Sequence, residues 1–130
     1  MLLVTGDHIA HDIAPDLGEA TSDDWAKVQA NLEATAELLQ KNFPSTLVLM
    51  NIGNNDGYHS QGPKESQKSE YYGFLHDLFF TQFPGNASIV DYVKETFMSA
   101  GNYRADVTDT VSVLSFNNNY MDDDNDSSVE

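Results

Sequence analysis

Two short apolar runs, each stopped by glycine and a carboxylate- or amide-rich turn, constrain this chain more than any other feature. The first covers residues 2–5 and ends at Gly6-Asp7. The second covers residues 46–52 and ends at Gly53-Asn54-Asn55-Asp56-Gly57, a dense cluster of turn formers. Between them, Ser22-Asp23-Asp24 is a helix-start signal, because a short oxygen side chain caps free N–H groups and acids suit the positive helix end. Trp25, Val28, Leu32, Ala36 and Leu39 then recur at helical spacing until Phe43-Pro44 breaks the run near Asn42. A strand, a crossover helix and a second strand predict parallel pairing, with both polar turns on one sheet edge, where open α/β sheets place their ligands.

The remainder continues an α/β pattern. Residues 59–69 read as a long polar loop. Tyr71, Tyr72, Leu75, Leu78 and Phe79 suggest a second helix. Ser88 is a candidate cap for a third helix, with Ile89, Val93 and Phe97 on one face and Gly101 as its stop. Residues 103–107 and 111–116 read as two strands joined by a polar turn. From Asp122 onward the acidic run is a poor core former, so the reading is one partial domain over 1–121 and an exposed tail over 122–130. The aromatic cluster of Tyr71, Tyr72, Phe74, Phe79, Phe80 and Phe83 reads mostly as core, with part of it a candidate lipid-facing surface.

Charge narrows the function. Six basic residues against 21 acidic ones give a net charge of −15, which argues against nucleic-acid binding. A phosphate-bearing substrate would be repelled unless cations intervened. Cysteine is absent, so a metal would need oxygen and imidazole ligands. No apolar stretch approaches the ~20 residues of a membrane span. Met1-Leu2-Leu3-Val4 is too short for a signal peptide and reads as a strand already inside a domain. Sequons at Asn86-Ala87-Ser88 and Asn125-Asp126-Ser127 are a weak pointer to a glycoprotein.

The turns carry the candidate chemistry. A carboxylate at Asp7, just past a buried strand, can offer its two oxygens to two cations. His11, four residues on, could reach a substrate oxygen. Asn54 can lend an amide oxygen to a cation without adding negative charge. Taken alone, each motif is also an ordinary strand-end turn, since Asn and Asp tolerate left-handed backbone.

Together, Gly6-Asp7 with His11-Asp12, Gly53-Asn54-Asn55-Asp56, and the later stretch from Val111 through Ser115, Asn117 and Tyr120 resemble the calcineurin-like metallophosphoesterases. The closest likeness is to their acid-sphingomyelinase and endopolyphosphatase branch. The resemblance implies part of a two-sheet sandwich with flanking helices. It implies Asp7 and Asn54 as metal ligands, with His11 and Asn55 as catalytic residues beside the scissile phosphate. It implies two divalent ions, zinc first and manganese or magnesium as alternatives. The substrate would be a sphingomyelin-like phosphodiester lipid or polyphosphate, in a secreted, lysosomal or vacuolar setting. The family's Asp-x-His and His-x-His motifs have no counterpart among the four histidines, His8, His11, His59 and His76. Asn55 stands where many relatives carry a catalytic histidine. The isolated chain is therefore expected to hydrolyse poorly, and a non-catalytic, binding paralogue is the alternative. His8 is expected to be exposed, His59 could face the site, and His76 reads as a surface or packing residue.

Overall fold

The computed structural model describes residues 1–10, 22–57 and 63–121. Within them the chain is mixed α/β, with three helices and two small sheets. Strand β1 (Leu2–Val4) pairs in parallel with β2 (Val48–Met50), Leu2 opposite Val48 and Val4 opposite Met50. Helix α1 (Ser22–Asn42) supplies the crossover. It buries Trp25, Val28, Leu32 and Ala36 as the spacing predicts, and Trp25 packs its ring on Tyr71 and Phe74. Strand β2 is shorter than the apolar run that contains it, because only Val48, Leu49 and Met50 face a neighbouring strand.

Residues 59–62 of the loop expected over 59–69 lie outside the described residues, and the described part gives way to helical structure before Ser69. A single 3₁₀ turn at Glu65–Gln67 leads into α2 (Lys68–His76), which continues as a π-turn over Asp77–Thr81. Helix α3 (Val90–Ala100) starts after Ile89 rather than at a Ser88 cap, and no side chain caps it. The reason lies just upstream: the 3₁₀ turn Pro84–Asn86 feeds the helix directly, and Ile89 is needed in the core. Gly101 does end α3, in the left-handed conformation glycine adopts without strain, and its N–H reaches the Phe97 carbonyl at 2.7 Å. Strands β3 (Tyr103–Thr108) and β4 (Val111–Ser115) form an antiparallel hairpin with an irregularity between Asp106 and Thr108.

The core is aromatic. Tyr72, Phe79, Phe80, Phe83 and Phe97 are fully buried, and edge-to-face contacts link Phe97 to Tyr72, Phe79 and Phe80. These rings hold α2, the π-turn and α3 together. The cluster is thus interior, and only Phe74 of that group is partly exposed. His76 is a packing residue, its Nε2–H donated to the Val90 carbonyl at 3.1 Å.

The free edge of β2 is closed by side chains. In the parallel register, alternate residues of β2 bond to β1, leaving the backbone of Val48 and Met50 pointing the other way. Asn86 answers Val48 as a third strand would: its Oδ1 accepts from Val48 N–H at 2.9 Å and its Nδ2 donates to the Val48 carbonyl at 2.7 Å. The same Nδ2 donates to the Phe79 carbonyl in the π-turn at 3.0 Å. The Tyr103 hydroxyl donates to the Met50 carbonyl at 2.9 Å. Asn86 is wholly buried, so a glycan on that nitrogen is incompatible with this packing. Asn125 of the other sequon, and the acidic tail, lie outside the described residues.

Candidate functional site

Both polar turns leave the carboxyl ends of β1 and β2, which are hydrogen-bonded neighbours. Parallel pairing therefore puts Gly6-Asp7 and Gly53-Asn54 side by side. Asp7, Gly53 and Asn54 line one cavity of about 490 Å³ together with Thr5, Asn118 and Asn119. The Asp7 Oδ1 accepts from the Asn55 N–H at 3.2 Å, so the first turn's carboxylate also orders the second turn's backbone.

The approach is close because two glycines face each other. Gly6 has φ near 92° and Asp7 near 51°, a left-handed pair that turns the chain across the end of β2. A β-carbon on Gly6 would lie 2.6 Å from the Gly53 nitrogen. One on Gly53 would lie 2.1 Å from the Asp7 nitrogen and 2.2 Å from Asp7 Oδ1. Backbone on both sides cannot yield as a flexible side chain would. Gly53→Ala is therefore expected to destabilise by about 1–3 kcal/mol, the usual cost of overpacking, and to part the two turns. Gly73→Ala is the control: its new methyl meets only Met98 Cε at 3.9 Å, within α2. There alanine should stabilise by about 0.5–1 kcal/mol. Urea titration of the two variants would separate these outcomes, and equal effects would contradict the packing account.

Asp56 joins the turns from below. Its side chain is fully buried, Oδ1 accepting from the His8 N–H at 2.7 Å and Oδ2 from the Gly53 N–H at 2.8 Å. Burial pushes its carboxyl above the ordinary carboxylate range, while nearby His8 and the two N–H bonds pull the other way. His8, expected at the surface, is turned inward instead. Its side chain is 1% exposed, with Nε2 3.7 Å from Asp56 Oδ2. The Nε2–H is donated to the Asn51 carbonyl at 2.8 Å, and the ring meets Phe79 edge-on. The physical reason is long-range: the buried Asp56 carboxylate takes the His8 N–H and the Asn51 carbonyl takes its ring, directly after the left-handed Asp7.

A third segment reaches the same rim. The Asn119 Nδ2 donates to the Gly53 carbonyl at 3.2 Å. Buried Asn117 orients this run: its N–H reaches Asn102 Oδ1 at 2.7 Å, its Nδ2 reaches the Ala100 carbonyl at 3.1 Å, and its Oδ1 accepts from the Asn119 N–H at 3.2 Å. Ser115 Oγ donates to Asn51 Oδ1 at 2.8 Å, tying the end of β4 to the end of β2.

Of the sequence-derived site residues, Asp7 and Asn54 thus share one cavity, whereas Asn55 is not in its lining and meets Asp7 through its backbone N–H. His11, His59 and Asp12 lie outside the described residues. Sequence reasoning placed His8 at the surface, took Asn118 and Asn119 only as part of the family-like stretch before Tyr120 with no role of their own, and gave Asp56 no separate role. The signals were the acid that ends the asparagine turn and the run of asparagines that follows the last strand. No family model matches the chain, and no curated protein or solved structure does either.

Among the described residues, no three His, Cys, Asp or Glu side chains cluster in a way that could hold a metal ion. Among the described residues, the donors at the rim are the Asp7 carboxylate and amide oxygens. This all-oxygen set suits hard divalent ions such as manganese or magnesium better than zinc, which favours imidazole or thiolate. The nearest imidazole among the described residues, that of His8, is committed to the Asn51 carbonyl.

Proposed function

We propose that this rim is part of the metal site of a phosphoesterase of the calcineurin-like type, within its two-sheet sandwich. The observation that carries the reading is the placement of Asp7 and Asn54 in one cavity at the ends of adjacent parallel strands. Asp7 and Asn54 would hold the cation through one carboxylate and one amide oxygen. A divalent ion there would activate water and stabilise charge on an attacked phosphorus. Asn55 can donate an amide hydrogen to a phosphate oxygen but cannot exchange protons near neutral pH. Proton transfer to the leaving oxygen would fall to His11. The substrate class would be a phosphodiester lipid of the sphingomyelin type or polyphosphate, met in a secretory or lysosomal compartment. Among the described residues, no helix is long and apolar enough to cross a membrane.

A second reading, a paralogue that binds a cation or partner without catalysis, draws on the ligand count. A catalytic zinc uses about three protein ligands and an open position, and two ions need more than Asp7 and Asn54. Calorimetry with manganese, magnesium and zinc tests the cation site. One divalent cation should bind, and Asp7→Asn, which keeps the left-handed turn but removes the charge, should abolish binding. Little or no turnover of a chromogenic phosphodiester or of polyphosphate is expected from this chain alone. Metal-dependent turnover that disappears in Asp7→Asn would establish the enzyme outright. An absence of cation binding, or binding indifferent to Asp7→Asn, would end the metal reading.

A further inference from the structure

Asp56 is a fully buried carboxylate whose two oxygens serve different turns. Carboxylates are almost never fully buried without partners, and here the partners are informative. Oδ1 takes the N–H of His8, the residue after Asp7. Oδ2 takes the N–H of Gly53, the residue before Asn54. One carboxylate therefore grips the backbone next to each cation donor. Asp56 does not itself line the cavity, so it is no ligand. The His8 ring lies against it from the interior, pinned by the Asn51 carbonyl. Asn119 holds the opposite side of Gly53 through its carbonyl.

We infer that Asp56, backed by His8, is the positioning residue that sets the separation of Asp7 and Asn54 for a divalent cation. An amide could not replace it, because one of its two heads would present N–H to a backbone N–H. Groups that orient metal ligands in this way change metal affinity by about 10–100-fold when mutated. The inference rests on the cation reading given above.

The test uses the full chain and manganese. Calorimetric titration would compare wild type, Asp7→Asn and Asp56→Asn at a temperature where circular dichroism shows each to be folded. Asp56→Asn should bind manganese at least ~10-fold more weakly, and Asp7→Asn should not bind. Hydrogen exchange followed by mass spectrometry provides a readout on wild type alone. Manganese should slow exchange in the peptides around His8 and Gly53 together, since one carboxylate bonds both N–H groups. If Asp56→Asn fails to fold, that paired protection decides. Wild-type affinity in folded Asp56→Asn, or protection confined to one turn, overturns the positioning role. In that case loss of binding in Asp7→Asn leaves the cation site standing. A wild-type chain that binds no manganese, or an Asp7→Asn chain that binds as wild type does, removes the cation site and this inference with it.

Discussion

Asn86→Ala is expected to cost about 3–5 kcal/mol of folding stability, because it strands several buried backbone groups at once. The amide satisfies the Val48 N–H, the Val48 carbonyl and the Phe79 carbonyl at 2.9, 2.7 and 3.0 Å. Each buried polar group left without a partner costs roughly 1–3 kcal/mol. Water cannot readily compensate, since Asn86, Val48 and Phe79 have no exposed surface. A chain of this length has a total stability on the order of 10 kcal/mol, so the loss is a large share of it. Asn86→Asp separates the components. Its oxygen could still accept from Val48, but both donated bonds vanish and a charge enters the core, so it should be at least as damaging. Urea unfolding would measure both variants. A change below about 1 kcal/mol for Asn86→Ala would mean that β2 is not held by this side chain.

Alkaline pH should unfold the protein steeply. Burial pushes the phenols of Tyr71, Tyr72 and Tyr103 well above their ordinary value near 10. For Tyr72 the hydroxyl contact with Tyr120 adds to the shift. The sign follows from proton counting: above pH 10 the unfolded chain releases phenolic protons that the folded chain keeps. The folded state then binds more protons, so stability falls as pH rises, by about 1.4 kcal/mol per pH unit for each phenol. Three such groups give about 4 kcal/mol per unit, enough to exhaust a stability near 10 kcal/mol within two to three units. A spectrophotometric titration should show the phenolates appearing together with the loss of helical circular dichroism. Independent titration near pH 10 in a chain that stays folded would contradict the burial of these rings.

Local physics made much of the fold legible from the residues. The spacing of Trp25, Val28, Leu32 and Ala36 located α1 because a helix has one period, and Pro44 ends it because proline cannot continue one. Gly101 marked the end of α3 for the same kind of reason. Parallel pairing of β1 and β2 followed from the crossover between them, and that pairing brings Asp7 and Asn54 together.

What the residues could not show was decided by contacts between distant parts of the chain. The start of α3 looked like Ser88 because serine is a good cap, but packing of Ile89 and the turn before it prevailed. His8 looked like a surface residue, since polarity is a local property, whereas its burial depends on Asp56 and Asn51, each more than 40 positions away in sequence. Asn86 carried the signature of a sequon and became the closure of a sheet edge. By itself, then, the sequence determined the elements, their order and the two turns that carry the candidate donors. The tertiary structure alone decided which polar groups would be buried to hold those turns in place. A buried hydrogen bond has value only when its partner is brought to it, and no periodicity along the chain encodes that meeting.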